Sequence, residues 1–396
     1  MQLDARSGDL DDLIVNKHVG SILHTSPSDL PKAVETVNTK TRLGIPAGDR
    51  RRLHSWLFLL AGSHHFPGTI GHGDHVGFRK SAGRGPCHRR GSVDYRRALD
   101  VLSGAVHRAR HPLGSRGRNL WRGPVPDRAK WHRPSSKAIR GGAKAGEPLA
   151  KDAILACAKH FAGYSETQGG RDASEADLSH RKLESWFLPP FERVAKEGCG
   201  TFMLGYESIE GVPVTFNKWL LSDRLRGAWN YQGTLITDWD NVGRSVWEQK
   251  VKPDYVQAAA DAVKSGNDLV MTTPKFYEGA IEAVKTGLLD ESLIDAAVAR
   301  ILALKFRLGL FEDPRLPDQE RINAVIGSEE HQQLNLEVAR EAVALLKNNG
   351  SLPFNAAGAK RIAVVGPLAD DAQTQLGDWA AAPVRSTGCL TATRAR

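Results

Sequence analysis

Followed for the period of its apolar positions, the chain divides into stretches with a regular pattern and one long stretch without any. Residues 1–46 contain the apolar run Val19-Gly20-Ser21-Ile22-Leu23, which predicts a strand. Asp29-Leu30-Pro31-Lys32-Ala33-Val34 predicts a helix start, with proline early in the first turn. From about residue 146, short apolar runs alternate with helical patterns, the arrangement of βα units around a parallel sheet. Strands are predicted at Ala153-Ile154-Leu155-Ala156-Cys157, Thr201-Phe202-Met203-Leu204, Gly233-Thr234-Leu235-Ile236-Thr237 and Asp268-Leu269-Val270-Met271. A helix starting near Asp290 places Leu293, Ile294, Ala297, Val298, Ile301 and Leu302 on one face and ends at Gly309, with Pro314 beyond. Another helix is expected over about 331–347, followed by a strand and turn at Arg361-Ile362-Ala363-Val364-Val365-Gly366-Pro367. Residues 47–145 keep neither period, apart from the short apolar cluster Trp56-Leu57-Phe58-Leu59-Leu60.

Composition excludes several classes. The 396 residues are 41% apolar and 25% charged, ordinary for a globular chain. No run approaches the eighteen apolar residues of a membrane span, so no membrane association is expected. The four cysteines (Cys87, Cys157, Cys199, Cys389) are far apart and form no CxxC pair, which excludes a disulfide framework and a zinc ribbon. The start, Met1-Gln2-Leu3-Asp4, lacks a basic region leading into an apolar one, so no export signal is recognised there.

Charge changes the picture more. A net +9 invites a nucleic-acid reading, but residues 47–145 hold 21 of the basic residues against 5 acidic ones. The rest of the chain holds 33 basic and 40 acidic residues and is therefore net negative. The same window contains 9 of the 14 histidines. It is a break in composition inside one chain.

Parallel α/β barrels place their chemistry at the C-terminal ends of strands, so polar residues at those ends are the first candidates. Asp238-Trp239 follows the run ending at Thr237, and Lys159-His160-Phe161 follows the run ending at Cys157. Met203 and Tyr206 close the next strand, and Gly169-Gly170-Arg171-Asp172 forms a turn downstream of Lys159. Singly, each has an ordinary reading. Asp238 could cap a helix, Lys159-His160 could be a solvated loop, and Met203 and Tyr206 could be core.

Taken in order, these pieces resemble glycoside hydrolase family 3. The matching segments are Lys159-His160-Phe161, Gly169-Gly170-Arg171-Asp172, Leu188-Pro189-Pro190-Phe191, Gly211-Val212-Pro213, Thr237-Asp238-Trp239, Gly266-Asn267-Asp268-Leu269 and Leu345-Leu346-Lys347-Asn348. The resemblance covers roughly 1–46 and 146–380. It implies an α/β fold: an incomplete (β/α)8 TIM-type barrel followed by the start of an α/β sandwich domain. The barrel is expected in two parts, 1–46 and 146–315, with a linker and helix at 316–350 and the sandwich opening at 351–396.

The resemblance also implies a retaining exo-β-glycosidase of β-glucosidase type, acting on a β-glucoside or oligosaccharide without metal or organic cofactor. Asp238 matches the nucleophile, and Lys159 and His160 match the pair that hydrogen-bonds sugar hydroxyls. Met203 and Tyr206 match positions lining the same subsite, and Trp239 would wall the pocket. Family members also include xylosidases, arabinofuranosidases and N-acetylglucosaminidases. No residue of this chain is assigned as general acid/base, a group often supplied by the second domain. Bacterial relatives are often exported, which leaves the compartment open.

The basic window departs from the family. An Asp ahead of a His-Gly pair should lie soon after Pro46, with an Arg-Trp-Gly-Arg stretch beyond it, and neither is present. A slipped reading frame accounts for both the composition and the missing motifs. With each codon shifted by one base and synonymous codons chosen freely, residues 53–67 and 113–128 read as strings similar to those motifs. The other shifted frame takes over near Arg133, and the original returns near 143–147. On this reading the chain is truncated at both ends and folds poorly, with little turnover. The alternatives are a carbohydrate-binding relic without catalysis and a chain whose basic segment binds nucleic acid.

Overall fold

The computed structural model describes residues 1–4, 8–23, 29–43, 155–164, 166–313, 316, 318–325, 328–354 and 365–367. Segment 47–145, and with it the out-of-frame reading, lies outside the described residues. So do Ala153-Ile154 of the first expected strand of the second half, Arg361 to Val364, and most of 351–396. The described residues fall into two compact units, which divide after Leu316.

The larger unit is built on an arc of parallel strands. Strand β1 (Gln2–Asp4) pairs with β2 (Ser21–Leu23), and β3 (Cys157–Phe161), β4 (Thr201–Leu204) and β5 (Thr234–Ile236) pair in the order β3-β4-β5. Residues 269–271 join the two sets: Ile236 bridges to Leu269 and Gln2 bridges to Met271, both in parallel. Two backbone bonds close that seam, Gln2 N–H to Val270 C=O and Thr272 N–H to Gln2 C=O, each 2.8 Å. Six parallel segments thus curve from β2 through β1, 269–271, β5 and β4 to β3, part of a (β/α)8-type barrel.

Burial explains the local sequence. All four residues of β4 are buried, as expected for a parallel strand covered on both faces, and its run does not alternate. Phe161 and Phe202, both fully buried, meet edge-to-face at 5.5 Å, with Phe191 and Trp229 packed around Phe161. Phe191 comes from helix α2 (Leu188–Lys196), which has proline in its first turn. Ahead of it, α1 (Asp29–Lys40) buries Leu30, Ala33, Thr36 and Val37 against the N-terminal strands. Beyond β5 come α3 (Asn241–Trp247), α4 (Tyr255–Lys264), α5 (Phe276–Lys285) and α6 (Glu291–Arg307). Asp254 and Asp290 cap α4 and α6, accepting from Gln257 N–H at 2.8 Å and Ser292 N–H at 2.9 Å.

Three expectations need correction. Lys159 and His160 do not follow a strand over 153–157; they lie inside β3, where the register shifts between Ala158 and Phe161. Of the apolar run only Cys157 lies in the strand, which continues through the polar pair to the buried Phe161. On α6 the buried face passes through Ala297, Leu304 and Lys305, while Leu293 and Val298 are 39% and 45% exposed. Lys305 turns inward because its ammonium donates to the Gly20 carbonyl at 3.0 Å. Finally, residues 343–348 continue beyond the last helix without helical structure.

In the second unit, α7 (Gln319–Val325) is followed by α8 (Glu329–Ala342), capped by the Ser328 side chain. Farther on, the Asn348 side chain accepts from Gly350 and Leu352 N–H groups, each 3.1 Å, making a side-chain-closed turn.

Candidate active site

Because the strands of the arc are parallel, their C-terminal ends open on one face. Asp238 lies two residues past β5 and is 4% exposed. Its Oδ1 accepts from the Trp239 backbone N–H at 2.7 Å and lies 3.1 Å from the Tyr206 hydroxyl. Its Oδ2 is 3.2 Å from His160 Nε2. The Tyr206 hydroxyl is also 3.0 Å from the Trp239 carbonyl. Thr237 fixes the backbone beneath, since its Oγ1 accepts from Met271 N–H at 2.9 Å.

Helix α3 begins at Asn241, with Asp240 at the cap position in the left-handed region, φ 50°. Asp238 therefore stands ahead of the helix, and its carboxylate is spent on His160, Tyr206 and Trp239. Asn241 Nδ2 donates to the Gly205 carbonyl at 2.9 Å and ties the exit of β4 to that of β5. Met203 is fully buried in β4, paired with Ile236, in the wall rather than among the groups bonded to Asp238.

The electrostatics follow from this crowding. Burial works to raise the Asp238 pKa, but the His160 hydrogen bond and the nearby Lys159 charge hold it below the usual carboxylate range. Burial lowers the Lys159 pKa despite Asp238. His160 is lowered by burial and then by Lys159, so a neutral imidazole donates from Nε2 to an ionised carboxylate. Among the described residues His160 Nδ1 has no hydrogen-bond partner, and the Tyr164 ring lies against the imidazole at 4.4 Å. Tyr164 in turn donates to Asp172 Oδ1 at 3.1 Å. The site thus offers a buried carboxylate anion with hydrogen bonds on both oxygens.

Sequence reasoning missed three neighbours. Arg244 stacks its guanidinium over the Tyr206 ring at 4.5 Å, and Tyr164 covers His160. The third, Glu207, is fully buried, and neither carboxylate oxygen has a hydrogen-bond partner among the described residues. Its one sequence signal is a glutamate directly after the run Met203-Leu204-Gly205-Tyr206. Gly205 makes room for it, since a Cβ there would come within 2.0 Å of Glu207 Oε2.

Burial raises the Glu207 pKa from 4.5 to about 8. The folded state therefore keeps a proton that the unfolded chain releases. Between about pH 4.5 and about 8 the folded state binds more protons, so stability falls as pH rises, by up to on the order of 5 kcal/mol, then levels off. Glu207→Gln is expected to flatten that slope in urea titrations across the window. A variant that keeps the wild-type slope would refute the assignment.

Comparisons with known proteins bear on the fold and the family. Residues 124–304 match the Glycosyl hydrolase family 3 N terminal domain, a match that begins inside the basic segment. A β-xylosidase of Formosa agariphila is 34% identical over 245 residues, 59% of this chain and 33% of the relative. The periplasmic β-glucosidase of Salmonella typhimurium is 31% identical over 253 residues, 63% of this chain and 32% of the relative. Among solved structures, a β-glucosidase involved in saponin metabolism from intestinal bacteria superposes with TM-score 0.73 at 66% identity, covering 96% of this chain and 50% of that one. The β-glucosidase of Listeria innocua in complex with isofagomine superposes with TM-score 0.61 at 25% identity, covering 89% and 49%.

An arc of parallel strands of barrel type, with an ionised carboxylate past a strand end, is thus similar over part of its length to glycoside hydrolases. The chain spans about a third of the length of these curated relatives and half that of the solved chains. The similarity is to the N-terminal domain of glycoside hydrolase family 3, over residues 124–304.

Proposed function

We propose that the Asp238 site is the glycone subsite of a retaining exo-β-glycosidase of β-glucosidase type, which releases terminal non-reducing sugars from β-glucosides or oligosaccharides. The observation that carries this reading is the buried Asp238 carboxylate, held ionised and oriented by His160, Tyr206 and the Trp239 amide. Asp238 attacks the anomeric carbon as the bond to the leaving oxygen breaks, giving a glycosyl ester. Water then attacks the same carbon and returns the carboxylate, with configuration retained overall. His160, through Nδ1, and Lys159, through its ammonium, hold sugar hydroxyls. The 66% identity to a β-glucosidase, against 34% to a β-xylosidase, supports glucose as the sugar.

None of the described residues is assigned as proton donor to the leaving group, so unactivated glycosides are expected to turn over slowly. The decisive experiment uses a leaving group that needs no acid. Incubation with 2-deoxy-2-fluoro-β-glucosyl fluoride is expected to add one fluoroglucosyl group, found by peptide mass spectrometry on Asp238. Labelling of a different residue, or none, would overturn the proposal. Glucose binding without labelling would point instead to a carbohydrate-binding relic.

A further inference from the structure

We propose that Trp247 is the leaving-group platform of this site, stacking a flat apolar aglycone beside the sugar that Asp238 attacks. This inference rests on the glycosidase reading of Asp238. Trp247 ends α3 and is 51% exposed, so core packing does not hold its indole. The ring is nevertheless fixed, because Nε1 donates to Asp240 Oδ2 at 2.9 Å.

That bond draws the side chain back along α3 toward its N-terminal end, where Asp238 and Trp239 lie. The helix is shaped to permit it. The Asp240 carboxylate rests on Gly243, where a Cβ would come within 2.1 Å of Oδ1. Arg244 completes the connection, with its guanidinium 4.5 Å from the Tyr206 ring centre and 5.5 Å from that of Trp247. Glu248 pairs with the same guanidinium at 2.7 Å. An unbroken series of contacts therefore runs outward from the Asp238 carboxylate through Tyr206 and Arg244 to an exposed indole.

A sugar bound at Asp238 must direct its leaving group away from the buried floor, toward solvent. An oriented, half-exposed indole joined to the floor by Tyr206 and Arg244 suits an aryl group or the apolar face of a second sugar ring. It offers nothing to a free monosaccharide held by Lys159 and His160. The prediction is therefore selective: Trp247 contributes to binding of aryl glycosides and not of glucose.

The test is calorimetric titration of the full chain with phenyl β-D-thioglucopyranoside, which is not hydrolysed, and with glucose. Trp247→Ala is expected to weaken the phenyl ligand about three- to tenfold and leave glucose unchanged. Trp247→Phe is expected to retain most of the difference. An equal loss for both ligands, or unchanged binding of both, would overturn the inference while leaving the site reading intact. If the wild-type protein binds neither ligand, the glycosidase reading has failed and the inference falls with it. A circular-dichroism melt that matches wild type confirms that the half-exposed substitution leaves the fold in place.

Discussion

Asp238→Gly is expected to slow glycosylation by activated glucosides by on the order of 10³-fold or more, with part of the rate restored by added azide. The substitution removes the atom that bonds to the anomeric carbon and leaves a space that a small anion can enter. Because azide attacks from the Asp238 side, its product is the α-glucosyl azide, inverted relative to the substrate. A merely structural aspartate behaves differently. Loss of a helix cap costs about 1 kcal/mol of stability and leaves the rate unchanged below the melting transition. The anomeric configuration of the azide adduct, read by NMR, separates the two. An unchanged rate in the glycine variant would end the nucleophile assignment.

The largest expected stability loss is at Asp268, whose side chain is wholly buried. Its Oδ1 accepts from Arg300 Nε at 2.6 Å, and its Oδ2 accepts from Arg226 Nη2 at 2.5 Å and Leu235 N–H at 2.8 Å. One carboxylate thus ties α6, the helical segment Trp219–Ala228 and β5 together. Asp268→Ala takes the counter-ion from two guanidinium groups and the acceptor from one strand amide, although Arg226 still donates to the Tyr231 and Gly233 carbonyls. Since the arginine side chains remain 18% and 32% exposed, water recovers part of the loss, and the expected cost is about 3 kcal/mol. Against a typical total of about 5–15 kcal/mol, that is a large fraction. Asp268→Asn should cost less, because its amide oxygen can still accept from Leu235. Urea unfolding followed by tryptophan fluorescence reads both, and an alanine variant within about 1 kcal/mol of wild type would contradict this account.

Much of the barrel was legible in the sequence because its strands are short, continuous apolar runs between helical stretches. Strands β4 and β5 lie within the expected runs, and Asp238 follows the second of them as expected. Boundaries were less legible where polar residues sit inside a strand. Lys159 and His160 belong to β3, yet the apolar run before them looked like the whole strand. The α6 face was misjudged for a tertiary reason, since its burial includes a lysine whose partner, Gly20, lies far away in sequence. Glu207, Arg244 and Trp247 were overlooked because their roles depend on Gly205, Tyr206 and Asp240, and hydrophobic periodicity carries no trace of such contacts.

The seam between Gln2 and residues 270–272 gives the larger unit a particular kind of interdependence. Joining positions so distant in sequence costs more loop entropy than pairing β4 with β5, so this seam is the costlier closure of the wall. The first strand braces 269–271, and that segment in turn braces β5. The aim of a carboxylate at position 238 thus depends on a strand two places away, made from the chain's second, third and fourth residues.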